Sequence, residues 1–148
     1  MSVYSKILLA VDLNADSGAV ARRARDLATR LGAELNVLHV VEYLPIEPVG
    51  ESMMPPTQLL DELAASARQR LQALCDEIGV DAAHQSVEVG NVKSEIVRVA
   101  RAMQCDLIVL GARERHGLSI FVNFTEDTVL HAASCDVLAV RRGADQPA

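Results

Sequence analysis

The chain has few aromatic residues and no tryptophan, although half of its 148 residues are hydrophobic. Valine, leucine, isoleucine and alanine must therefore fill the core, which suits helices packed on a buried parallel sheet. A chain of this length can bury roughly 70% of its unfolded surface without disulfides or metals. We therefore predict a single domain over residues 1–143 and a frayed C-terminal tail over 144–148.

Cysteine is also scarce, and its spacing is informative. Cys75, Cys105 and Cys135 make an odd number and form no Cys-x-x-Cys pair. This pattern argues against a disulfide framework and predicts a reducing, cytoplasmic location. We interpret the three as small apolar core residues, since a redox role would need an exposed thiol with a low pKa.

Long apolar runs and excess positive charge are missing as well. No apolar run approaches about 18 residues, and the N-terminus lacks a basic stretch before an apolar one, so we expect neither a membrane span nor a signal peptide. The net charge is −6, from 14 basic and 20 acidic residues. The densest basic cluster, Arg113, Arg115 and His116, is too small for a nucleic-acid surface but could hold one phosphate group.

Four nearly continuous apolar runs predict buried strands at 6–12, 34–41, 106–112 and 136–142, and a weaker alternating run at 84–89 predicts an edge strand. Amphipathic helices lie between them: the first ends at Gly32, the second at Gly79, and the fourth runs from about Thr125 to Ala133. The predicted apolar stripe of the second helix is Leu60, Leu63, Ala67, Leu71, Leu74 and Ile78. The proline-rich segment 42–56 reads as a loop. This order predicts an α/β domain with a doubly wound, five-stranded parallel sheet and four helices.

In such a sheet the ligand site lies beyond the carboxyl ends of the strands, where the strand order reverses. The first strand ends in Asp12 and the fourth in Gly111, so we expect a ligand beside these two residues. His39 is interpreted as a core or strand-end histidine with its hydrogen bonds satisfied, and Asp16 or Ser17 as a helix N-cap. The remaining histidines are not spaced as metal ligands, so no metal is expected.

The sequence resembles the universal stress protein family along essentially its whole length. The resemblance is carried by "KILLAVD", "LNVLHVV", "GNVKSEIVRVARAMQCDLIVLGARERHGL" and "VLHAASCDVLAVRR", in this order and spacing. It implies a Rossmann-like domain and a non-catalytic stress-response role. It also implies a homodimer paired through the fifth strand, Asp136 to Arg142. The alternative is that Arg141 and Arg142 protect the edge of a monomer.

Many members of that family bind ATP or AMP in a loop of the pattern Gly-x-x-Gly, eight or nine residues, then Gly-Ser or Gly-Thr. Glycines let the backbone turn its N–H groups toward the phosphates. The resemblance implies that Asp12 faces the nucleoside, that the backbone of Val40 meets the adenine, and that Gly111 is the first glycine of the loop.

This chain departs from that loop pattern. Glu114 stands where the second glycine is expected, and Asn123 and Phe124 stand where Gly-Ser or Gly-Thr is expected. Glu114 adds a negative charge beside the phosphates, and Phe124 removes a hydroxyl.

Other residues of the loop favour binding. Arg113, Arg115 and His116 could offset Glu114, and Thr125 could supply a hydroxyl one position late. Equally, Arg113 or Arg115 could form only a solvated surface ion pair with Glu114. Two hypotheses stay open. Glu114 and Phe124 favour a stress-response dimer with a degenerate loop and no cofactor. The alternative is an ATP- or AMP-binding sensor, or a slow ATPase, that uses the crevice beside Asp12 and Gly111.

Overall fold

The computed structural model describes residues 3–13, 17–42, 56–113 and 125–142. Five strands and four helices alternate along them, with a short 3-10 turn at Ala82–His84. Their bounds are β1 Lys6–Ala10, α1 Ser17–Leu31, β2 Glu34–Glu42, α2 Pro56–Ile78, β3 Gln85–Gly90, α3 Val92–Ala102, β4 Leu107–Arg113, α4 Thr125–Ala132 and β5 Asp136–Arg142. The predicted number and order of elements are confirmed. The loop predicted at 42–56, apart from its two end residues, and the tail predicted at 144–148 lie outside the described residues.

All five strands are parallel, in the order β3-β2-β1-β4-β5. The central strand β1 is buried completely at Ile7, Leu8 and Leu9. One apolar cluster joins the sheet to α1 and α2, and a second joins its other face to α3 and α4. The predicted doubly wound sheet is therefore confirmed, and the strand order reverses between β1 and β4.

The helix ends follow the prediction, but the buried face of α2 does not. Gly32 and Gly79 have φ of +65° and +72°, a conformation that glycine adopts without steric cost. In α2, however, Leu63 is 45% exposed, and its neighbour Ala64 is buried instead. The buried face is Ala64, Ala67, Leu71, Cys75 and Ile78. The predicted apolar stripe is therefore wrong at Leu63. The size of a residue does not reveal which side of a helix the sheet covers, and a small residue permits close packing.

The three cysteines are free thiols: Cys75 and Cys105 are buried and Cys135 is half-buried. Desolvation by burial raises the pKa of Cys75 and of Cys105 to about 11 each. Because the thiolate is the reactive form, these two side chains are poorly suited to redox chemistry. Their place in the two apolar clusters agrees with the predicted packing role.

The side chain of Asp106 accepts hydrogen bonds at the end of the sheet opposite the carboxyl ends of the strands. The Oδ2 atom of Asp106 accepts hydrogen bonds from the N–H of Ser5 at 2.8 Å and from its hydroxyl at 2.9 Å. Its Oδ1 accepts one from the N–H of Lys6 at 3.0 Å. Desolvation opposes ionisation of Asp106, but these hydrogen bonds together outweigh it and lower the pKa of the carboxyl group.

We predict that Asp106 makes the stability depend on acid. Because its pKa is lower in the folded than in the unfolded chain, the ionised carboxylate stabilises the fold above the unfolded value, and this contribution is lost as the pH falls through the folded value. Asp106→Asn should lower the free energy of unfolding by about 1 kcal/mol near pH 7, since partial exposure to solvent weakens the contribution of these hydrogen bonds. Urea unfolding at pH 7 and at about pH 3 tests this, because the difference from the natural chain should shrink in acid. Asp61→Asn, on the exposed side of α2, is the control; a pH-independent cost at Asp106 would contradict the prediction.

Candidate functional site

The strands that flank β1 extend beyond it and leave a notch at the carboxyl edge of the sheet. The last residue of β1, Ala10, pairs with Leu38 on one side and Leu110 on the other. Strand β2 continues to Glu42 and β4 to Arg113, while both stay paired with the outer strands. At about 3.3 Å per residue, β4 runs roughly 10 Å past the end of β1. We use "the notch" for the space between residues 39–42 and 111–113, above residues 11–13.

The floor of the notch carries one exposed residue between two buried ones. Val11 and Leu13 are each 7% exposed and belong to the core, whereas Asp12 between them is exposed. The N–H of Val11 donates to the carbonyl oxygen of Leu38 at 2.9 Å. The Nδ1 atom of His39 lies 2.8 Å from the carbonyl oxygen of Val11. His39 lies inside β2 rather than at its end, and its ring is hydrogen-bonded, as expected for a satisfied histidine; it helps to fix the floor.

Leu13 has a backbone conformation that is unusual for a leucine. Its φ is +60°, in the left-handed region, which costs a residue with a Cβ atom roughly 1–2 kcal/mol. The buried side chain of Leu13 offsets this cost, and the Nη2 atom of Arg70 on α2 donates a hydrogen bond to its carbonyl oxygen. Sequence analysis missed both residues. No local pattern marks Arg70, which lies 57 positions along the chain.

Asp12 is also held from α1. Ser17, the first residue of that helix, is only 4% exposed, and its hydroxyl donates to the Oδ1 atom of Asp12 at 2.9 Å. Of the two residues predicted as a helix cap, Asp16 lies outside the described residues, and Ser17 begins the helix and contacts Asp12. This hydrogen bond joins the amino end of α1 to the floor of the notch. The N–H groups at that end of the helix favour negative charge.

The backbone of Val40 faces the notch. The carbonyl of Leu38 points toward β1, since it accepts the hydrogen bond from Val11. Backbone groups alternate sides along a strand, so the N–H and C=O of Val40 point the same way, past the end of β1. The side chain of Val40 is 7% exposed and packs in the cluster beneath α3 and α4. Val40 thus presents one donor and one acceptor at the side of the notch.

The opposite side of the notch is formed by β4. Gly111 is half-buried and pairs with Val140, two residues before the strand ends at Arg113. The sequence predicted that the strand ends nearer to Gly111; pairing with β5 carries it further. The rest of the predicted loop cannot be located around the notch: Glu114, Arg115, His116, Asn123 and Phe124 and the side chains of Arg113 and Thr125 lie outside the described residues.

A second concave surface lies between α3 and α4. This groove has a volume of about 530 Å³ and is lined in part by Lys93, Arg98 and Arg101. One of these three cations is paired with carboxylates, since Nη2 of Arg98 lies 2.6 Å from Glu95 and 3.5 Å from Glu88. The groove contains neither Asp12 nor Gly111, so the notch remains the better candidate for a ligand site.

Among residues 3–13, 17–42, 56–113 and 125–142, no group of three His, Cys, Asp or Glu side chains gathers as metal ligands would. In those ranges, no helix combines the length and the apolar character needed to cross a membrane.

A doubly wound parallel sheet with a notch at its point of strand reversal defines a class of α/β proteins that bind ligands at this edge. The sequence model of the universal stress protein family matches residues 3–141. Universal stress protein A homolog 1 of Coxiella burnetii is 36% identical over 138 residues, which cover 93% of this chain and 96% of that protein. The chain belongs to the universal stress protein family.

Solved structures show the same Rossmann-like fold. A universal stress protein in complex with cAMP superposes with a TM-score of 0.73 at 20% identity, covering 94% of this chain and 98% of that one. The universal stress protein UspA from Lactobacillus plantarum gives a TM-score of 0.64 at 29% identity, covering 93% and 98%. The fold expected from the sequence is thus confirmed across nearly the whole chain.

Proposed function

We propose that this protein is a non-catalytic stress-response protein that binds an adenine nucleotide in the notch between β2 and β4. The observation that carries the proposal is the notch itself, which brings Asp12, the backbone of Val40 and Gly111 around one opening. An adenine ring needs one donor and one acceptor at its edge, which the backbone of Val40 offers. A ribose needs an acceptor for its hydroxyl groups, which the carboxylate of Asp12 offers.

The relative with bound cAMP supports the choice of an adenine nucleotide, since its chain superposes on this one over most of its length. The absence of a catalytic role is supported by the contacts of Ser17. Its hydroxyl donates directly to Asp12, whereas the serine of a catalytic triad donates to a histidine that acts as its base. We accordingly propose a sensor or signalling role for the bound nucleotide.

A second candidate function is a stress-response dimer that uses no nucleotide. Glu114 and Phe124 in the loop after β4 favour it, because they disturb the cradle in which relatives of this type hold phosphates. We therefore expect binding to be weak in the phosphate part of the site and stronger for the nucleoside part. Adenosine and AMP should then bind with almost the same affinity as ATP.

Three further points belong to the same proposal. The domain spans residues 1–143, and it acts as a homodimer through β5, an edge strand rich in apolar residues. The free, largely buried thiols support a reducing cytoplasmic location. Neither a nucleic acid nor a membrane is proposed as a partner, since the net charge of −6 disfavours both of these anionic surfaces.

The proposal predicts that saturating adenosine or AMP raises the melting temperature and that Asp12→Asn weakens this binding about tenfold, as expected for the loss of roughly 1.4 kcal/mol. The amide nitrogen of asparagine cannot accept a hydrogen bond from the ribose. Isothermal titration calorimetry on the folded protein measures the change. Asp26→Asn, an equal change on the exposed side of α1, is the control. Absence of any saturable shift in the natural chain would favour the second candidate function.

A further inference from the structure

We propose that Arg70 on α2 is a positioning residue of the notch, which holds Asp12 in place through the backbone of Leu13. The proposal rests on the proposed function, because it concerns the same site. It does not require Arg70 to contact the nucleotide. Instead, Arg70 fixes the one residue of the floor that has an unfavourable backbone conformation.

The floor of the notch is tied down at both of its ends, by different parts of the fold. On the β1 side, Val11 is held by Leu38 and His39, which belong to the neighbouring strand. On the other side, the hydrogen bond to the carbonyl oxygen of Leu13 comes from Arg70, in a helix that is remote in sequence. Asp12 lies between these two anchors, so its position depends on both.

The hydrogen bond from Arg70 matters because Leu13 has a left-handed backbone conformation. The angle φ of Leu13 sets the direction of the peptide unit that joins it to Asp12, because that unit is planar. A leucine prefers negative φ, so the peptide unit tends to rotate unless the surroundings hold it. The hydrogen bond from Arg70 does not act on this peptide unit itself. It holds the carbonyl of Leu13, on the other side of the Cα atom, and so fixes the part of the residue about which the unit would rotate.

Burial of the Leu13 side chain supports the same conformation, but it does not fix the carbonyl. The side chain packs in the core with Val11 and Val20, which anchors the Cβ atom. The orientation of the carbonyl depends on the next backbone angle, and there the hydrogen bond from Arg70 acts. Loss of Arg70 should therefore loosen the floor while leaving the core packed.

The test compares Arg70→Gln with Arg68→Gln. Arg68 lies on the exposed side of the same helix, so both variants remove one positive charge from α2. Adenosine and AMP affinities are measured by calorimetry well below the melting temperature, where every variant is folded. We expect Arg70→Gln to raise Kd about tenfold and Arg68→Gln to leave it unchanged, with Arg70→Lys, which keeps a charged donor, in between.

Hydrogen exchange without any nucleotide provides a second measurement. The amide hydrogen of Leu13 and those of its neighbours should exchange faster in Arg70→Gln than in Arg68→Gln, while amides of β1 and β2 keep their protection. This result separates the two proposals: if the natural chain binds no nucleotide, the proposed function fails, but the exchange experiment still decides whether Arg70 holds the floor. Equal exchange and equal Kd in the Gln variants would overturn the role of Arg70, as would a lowered melting temperature with an unchanged Kd.

Discussion

The triple variant Glu114→Gly, Asn123→Gly, Phe124→Ser should bind ATP at least about tenfold more tightly than the natural chain, a gain of roughly 1.4 kcal/mol or more. Two unit charges about 4 Å apart repel by roughly 4 kcal/mol at an effective dielectric constant near 20, so we expect removal of the Glu114 charge alone to favour a triphosphate. The two glycines permit positive φ, which turns N–H groups toward phosphate oxygens, and the serine restores a hydroxyl donor. These three residues lie outside the described residues, so the prediction rests on the sequence.

The choice of ligand provides a sharp control for this variant. Adenosine lacks phosphates, so its affinity should be the same in the triple variant and the natural chain, while that for ATP rises. Glu114→Gln, measured alongside, separates the charge from the backbone effect, since glutamine removes the charge but keeps a Cβ atom. If ATP affinity did not increase, or if adenosine affinity rose equally, the interpretation of the loop as a damaged phosphate cradle would be wrong.

Leu138→Arg should convert a dimer into a monomer. Strand β5 lies at the edge of the sheet and pairs with β4 on one side only within this chain. Leu138, in the middle of this strand, is 37% exposed, which is unusual for a leucine in a strand and leaves apolar surface for a partner. A buried, unpaired arginine costs roughly 3–5 kcal/mol, and a twofold interface contains the substitution twice.

The measurement is the molar mass in solution by light scattering, which should fall from that of two chains to that of one. Leu63→Arg is the matched control, because Leu63 is 45% exposed on α2, and this helix packs on the sheet near β3, at the other edge. That variant should keep the mass of the natural chain. A dimer that persisted in Leu138→Arg would place the interface elsewhere, and a natural chain that scattered as one copy would favour the protected monomeric edge.

The order of the elements could be predicted because it depends on local patterns. Continuous apolar runs marked the strands, the repeat of apolar residues marked the helices, and Gly32 and Gly79 marked two helix ends at the conformation that glycine favours. The resemblance to the universal stress proteins came from the same runs, and the family match over residues 3–141 confirms it. Patterning was insufficient where two apolar residues adjoin, as at Leu63 and Ala64, because the sheet decides which of them is covered.

The candidate site was predictable only in part, for the same reason. Asp12 and Gly111 could be selected from the sequence, because strand ends at a point of reversal meet at one edge of a parallel sheet. The extent of the notch could not be predicted from the sequence, since it depends on β2 and β4 staying paired with outer strands beyond the end of β1. The hydrogen bond from Ser17 to Asp12 was not predicted either, because the sequence marked Ser17 only as a candidate helix cap.

The sequence by itself determined the class of fold and the family, and it selected the edge of the sheet at which we expect a ligand, because each of these follows from the type and spacing of nearby residues. Only the tertiary structure decided how Asp12 is held. The left-handed conformation of Leu13 and its bond to Arg70 join segments 57 positions apart. Such a contact depends on how α2 packs across the sheet, and no periodic pattern in the chain encodes it.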